Sequence, residues 1–137
     1  MDDATLQTFQ QSLARCTANP RFLDQFYDTF LASSPKVREK FANTDFLKQK
    51  RALHGSFHLM LRAAQNEGSG PPVYLEDLAH RHGARQLAIG AELYDLWLDS
   101  LLATVRICDP DGSPDIEKAW EKVMGIGIKY LCSRYHE

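Results

Sequence analysis

Apolar residues recur at intervals of three and four along almost the whole chain, and no stretch alternates convincingly between apolar and polar residues. Such a pattern predicts helices throughout. It leaves no strands from which a βαβ unit could be built. Leu6, Phe9, Leu13 and Cys16 mark a first helix. Asn19-Pro20 reads as the start of a second, with Asn as cap and Pro at the first position, and Phe22, Phe26 and Phe30 follow at intervals of four. Ser34-Pro35 repeats the start signal for a short helix through Phe41. Asn43 to Asp45 reads as a corner, with Asp45 a cap for a long helix from about Phe46 to about Asn66. EGSGPPV is the clearest loop, and a short helix from about Tyr74 to His82 follows, ended by Gly83. Leu87 to Ile107 reads as another long helix, ended by DPDGSP, and the last runs from about Pro114 to near the C-terminus.

The expectation is therefore an all-α fold of about seven helices, two of them short. The three longest have connections too unequal for a simple up-and-down bundle, so an irregular helical packing is the natural outcome. A chain of 137 residues fits one domain and buries a sizeable core without staples. Its formal net charge of −2 offers no broad basic field for nucleic acid or an anionic membrane. No apolar run is long enough to span a bilayer. The acidic, polar start MDDATLQTFQQ lacks the regions of a signal peptide, so a cytoplasmic location is expected. Cys16, Cys108 and Cys132 form no CxxC or CxxCH pattern, and read as buried or incidental thiols.

Two histidine groups stand out. His54 and His58 are four apart, which is metal-ligand spacing, but the intervening residues make no HExxH. His80 and His82 lie about 200° apart around a helix, so they face different ways. On the long helix, Gln49, Leu53, Ser56 and Met60 make one stripe within about 40° of Gln49, with Phe57 at its edge. Such a stripe is ordinarily core, and a glutamine at its start is unusual there.

Five stretches together carry a resemblance: FYDTFLASSPKVREKF at 26–41, KQKRAL at 48–53, YLEDLAHRHG at 74–83, LLATV at 101–105 and AWEKVMGIGIKYL at 119–131. In order and spacing they resemble bacterial single-domain globins, especially the haem domain of flavohaemoglobins. The resemblance implies the globin fold, a single globin domain over residues 1–137, and seven helices packed around a haem pocket. It implies non-covalent haem b, since no CxxCH is present to attach it. It makes His82, in Leu78-x-x-x-His82, the iron ligand, with His80 as the alternative. Phe41 would pack on the porphyrin, Leu53 and Phe57 would form apolar wall, and Tyr94 would lie near the proximal side. Tyr27 and Gln49 would donate hydrogen bonds to bound O₂. Lys48 and Lys50 flank Gln49, and a lysine ligand would require the helix to be rotated. His54 and His58 would face away from the haem, as surface or interface residues.

Flavohaemoglobins also carry a glutamate on the last helix, directed at the proximal histidine. The corresponding YLCSRYHE offers no clear match, with Tyr135 or its neighbours standing there. The implied function is reversible binding of O₂, CO and NO, with oxygen storage or transport as the role. The alternatives are a nitric oxide dioxygenase served by a separate reductase, a gas sensor acting through a partner, and a helical interaction protein that has lost its haem. The chain ends at Glu137 without a nucleotide-binding segment, which favours the first.

Overall fold

A computed structural model describes residues 1–69 and 73–136, and within them all regular structure is helical. Seven α-helices follow in order: α1 (Asp3–Ala18), α2 (Phe22–Ser33), α3 (Pro35–Lys40), α4 (Phe46–Gln65), α5 (Val73–His82), α6 (Ala91–Cys108) and α7 (Pro114–Ser133). Among the described residues no helix is long and apolar enough to cross a membrane.

Caps fix several boundaries where the sequence puts them. Asp2 accepts from the Thr5 amide before α1, Ser34 from Lys36 before α3, and Asp45 from Leu47 and Lys48 before α4. Ser113 accepts from Ile116, with Pro114 opening α7. Phe41 closes α3 as its C-terminal cap.

Two starts differ from expectation. Asn19 and Pro20 form a turn and α2 begins at Phe22, because the Asn19 side chain accepts from the Arg21 amide at 3.0 Å while its carbonyl takes the Phe22 amide. The predicted helix start at Leu87 falls later, at Ala91. Residues 86–89 instead turn back on α5: the amides of Gln86 and Ala88 bond the Gly83 carbonyl, Leu87 bonds Arg81, and Ile89 bonds His82. Ala88 sits at φ 54°, a left-handed conformation that no α-helix accommodates and that costs a non-glycine residue about 1 kcal/mol. The expected loop before α5 begins with a short 3₁₀ turn, Glu67–Ser69, and its residues 70–72 lie outside those described.

Packing centres on Trp120 of α7. Its ring meets Phe9 of α1 edge-on at 4.7 Å between centroids, Phe57 of α4 at 5.6 Å and Phe22 of α2 at 6.1 Å, and all four are fully or almost fully buried. The buried indole N–H is satisfied by Ser12 at 2.8 Å. Ser12 donates in turn to Asp109 at 2.6 Å, and Arg15 grips the same carboxylate at 2.7 and 3.0 Å. These contacts bind α1, the α6–α7 corner and α7 at one end. They leave α2 to α6 to enclose the space at the other end, with α7 beside it.

Candidate functional site

That space is a cavity of about 590 Å³, mostly apolar and open to solvent on one side. Tyr27 of α2, Phe41 at the end of α3, and Gln49, Leu53 and Met60 of α4 line one part of it. Leu78 and His82 of α5, with Leu93 and Tyr94 of α6, line another. Phe30, Trp97, Ile128 and Leu131 complete the apolar lining.

The spacing of α5 explains its contribution. Tyr74, Leu78 and His82 follow one another at intervals of four, so they share a face, and all three meet the cavity. His80 falls on the other side and is exposed. The His82 ring lies nearly parallel to that of Tyr94, and its Nδ1 is 2.8 Å from the Tyr94 hydroxyl. Burial pushes the His82 imidazole down to about 4, and the neighbouring Arg81 charge acts in the same direction. It is therefore neutral at pH 7, with one ring nitrogen carrying a proton and the other a lone pair. Burial pushes the Tyr94 phenol up, so it stays protonated and can accept a hydrogen bond from Nδ1. A histidine so engaged at Nδ1 has Nε2 left as a metal-binding atom.

Tyr27 is 3% exposed, and its hydroxyl donates to the main-chain carbonyl of Gln49, at a long 3.5 Å. Burial pushes this phenol up to about 12, against the lowering effect of the Gln49 side chain. Tyr27 thus remains a donor throughout the neutral range, held only loosely by its present acceptor. Phe41 packs edge-on to Tyr27 and Phe30 at centroid separations of 6.0 and 5.8 Å.

The structure thus brings Tyr27, Phe41, Gln49, Leu53, Leu78, His82 and Tyr94 to one cavity. It does not bring Phe57 there. Phe57 is fully buried against Phe22 and Trp120 instead, and its expected place on the cavity wall is corrected. The physical reason is angular: Phe57 lies about 80° round α4 from Gln49, far enough to turn into the inter-helix core. Lys48 is exposed, and Lys50 is ion-paired with Asp24. Tyr135 offers its carbonyl to the Ala84 amide and meets the His136 ring edge-on, and the hydrogen-bonding partner of His82 is the phenol of Tyr94.

Sequence reasoning missed the cations. Among the described residues, Lys40, Arg51 and Arg81 are the charged residues lining the cavity, all three are exposed, and no carboxylate lines it. They therefore form a positive rim. Lys40 donates to the Leu87 carbonyl at 2.5 Å, linking α3 to the turn after α5. Lys40, Arg51 and Arg81 come from three different helices, and only the fold gathers them at one cavity. Tyr74 could have been found from the same four-residue spacing that places Leu78 and His82.

No protein-family model and no curated protein matches the sequence. A crystal structure of a protein from Pseudomonas aeruginosa PAO1, described as structurally highly homologous to a human hemoglobin, matches with a TM-score of 0.92. The two are 39% identical, and the match covers 97% of this chain and 99% of that one.

Proposed function

Since this chain belongs to the globin family, we propose that it is a single-domain globin that holds haem b non-covalently and binds O₂, CO and NO reversibly, with oxygen storage or transport as its role. One observation carries the reading: a neutral, half-buried histidine, steadied at Nδ1 by a phenol, on the wall of an apolar cavity of about 590 Å³.

The residues present fit the group. His82 supplies the nitrogen for iron, Leu53, Leu78 and Phe41 supply apolar surface for a flat macrocycle, and Lys40, Arg51 and Arg81 supply positive charge where its carboxylates would meet solvent. Haem, when bound, supplies an iron centre that takes up a diatomic gas. Tyr94 fixes the tautomer and orientation of the His82 ring. Tyr27, and the Gln49 side chain if it turns inward, provide donors to a polar gas ligand. Apolar side chains on α4 and α6 keep bulk water away from it.

The partner of His82 separates the two leading roles. A phenol is a much weaker acceptor than a carboxylate, so it lends the imidazole little anionic character. That favours reversible binding over a nitric oxide dioxygenase working with a separate reductase, which gains from strong electron donation by the proximal side.

The test is reconstitution of the full chain with haemin, followed by absorption spectra in the ferric, ferrous and CO-bound forms. Sharp visible bands at about one haem per chain are expected, since His82 is the histidine lining the cavity among the described residues. His82→Ala should abolish or cripple them and His80→Ala should leave them intact. Equal loss in both variants, or featureless spectra for the unmodified chain, would refute the reading.

A further inference from the structure

Helix α4 carries Lys48, Lys50, Arg51 and Arg62 and not one aspartate or glutamate across its 20 residues, in a chain whose 18 acidic residues outnumber its 16 basic ones. Lys50 is neutralised by Asp24. Lys48, Arg51 and Arg62 have no ion-pair partner among the described residues, and all three are exposed. By helical arithmetic they lie about 200–260° from Gln49, with the exposed His54 and His58 beside them at about 140–180°. They make one outward stripe about 21 Å long, from Lys48 to Arg62. Arg51 belongs both to this stripe and to the cavity rim, where Arg81 and Lys40 continue the positive charge.

We propose that this stripe and rim form a docking surface for a small acidic electron-carrier protein. The inference rests on reading the cavity as a haem site, because ferric haem must gain an electron before it binds O₂. Each encounter would move one electron from the reduced carrier to ferric iron, leaving the carrier oxidised and the iron ferrous, with no bond made or broken. Charge complementarity selects the partner class. Positive charge concentrated at the cavity mouth of a net-negative protein steers an acidic partner to that face, while the rest of the surface repels it. A stripe of this length suits the small, transient interfaces of redox encounters. The net charge of −2 disfavours long polyanions, which would meet the acidic remainder of the surface.

The experiment measures binding of the full chain, haem-loaded and haem-free, to a small acidic [2Fe–2S] ferredoxin by titration calorimetry. Binding should weaken about tenfold between roughly 50 and 300 mM NaCl as the charges are screened. Arg51→Glu with Arg62→Glu should weaken it by at least about tenfold, and Lys118→Glu with Lys122→Glu, exposed cations of α7, by less than about twofold. Circular dichroism confirms that each variant is folded. Equal weakening by both pairs, or no ferredoxin binding, overturns the proposal. So does tighter binding through Arg51 and Arg62 to duplex DNA or to phosphatidylglycerol vesicles. Docking that persists in a chain with no haem spectrum would count against the haem reading alone.

Discussion

Tyr27 holds its hydroxyl oxygen 3.5 Å from a main-chain carbonyl oxygen, near the limit at which such a contact counts as a bond. The phenol therefore loses little by turning to a better acceptor in the cavity. Bound O₂ carries partial negative charge at its outer atom and bound CO carries much less, so the donor should discriminate between them. A hydrogen bond to a charged group contributes roughly 1.5–3 kcal/mol, and about 1.4 kcal/mol is a factor of ten. Surrender of the existing contact to Gln49 puts the expected effect at the lower end. Tyr27→Phe should speed O₂ release about tenfold, by stopped-flow spectroscopy, and change CO affinity less. The ring and its edge-on packing against Phe26, Phe41 and Phe46 remain, so the fold is preserved. An unchanged O₂ off-rate would show that the hydroxyl does not reach the ligand.

At the scale of helices, α4 and α7 meet where Gly127 faces Met60. A Cβ at position 127 would lie 2.3 Å from the Met60 sulfur and 2.7 Å from its methyl carbon, so the thioether would have to move, and it borders the cavity. Gly127→Ala gains about 1 kcal/mol of helix propensity and loses a similar or larger amount to overpacking. The net change alone is thus a poor probe, and a double-mutant cycle with Met60→Ala is a good one. Urea denaturation should give a coupling of at least about 1 kcal/mol, with Gly127→Ala becoming stabilising once Met60 is truncated. Additive effects would mean that the two helices approach less closely than this.

Helix boundaries were legible where a side chain makes the cap. Ser34, Asp45 and Ser113 each stand one residue before a helix in the sequence and each accept an amide hydrogen in the structure. The start of α6 was not legible, because Leu87 and Ile89 extend the apolar pattern into a turn and the left-handed residue is an alanine, which gives no warning. The fold and the gathering of Tyr27, Phe41, Gln49, Leu53, Leu78, His82 and Tyr94 could be read from ordered motifs. The place of Phe57 could not, since an edge residue of a helical stripe is claimed by whichever neighbour packs closer. Nor could the pairing of His82 with Tyr94, which joins two helices across a turn whose path the sequence hides.

For the molecule as a whole, Asp109 is the one charged residue that is buried among the described residues. Its side chain is fully buried at the α6–α7 corner. Burial alone would raise its pKa, but hydrogen bonds from Arg15, Ser12 and the Asp111 amide prevail and hold the carboxyl below its ordinary range. A depressed carboxylate stabilises the fold above its unfolded-state pKa of 3.8, and that contribution disappears as pH falls through the lower folded value. Urea midpoints should therefore drop as pH falls below about 4, and Asp109→Asn should flatten this dependence. The variant should also cost about 2 kcal/mol at neutral pH, less than for a wholly buried pair because Arg15 is partly exposed. A pH profile identical to that of the unmodified chain would show that other carboxylates govern acid unfolding.

The corner after α5 has a mechanical consequence. The Ile89 amide is bonded at 2.9 Å to the carbonyl of His82, and Gly90 then opens α6, which bears Tyr94 on the same histidine ring. Residue 82 is thus clasped through its backbone by the turn and through its ring by the helix beyond it. A displacement of the imidazole cannot be absorbed by that residue alone. It is passed through the turn at 83–90 into the first turn of α6, so the corner couples the cavity to the start of that helix.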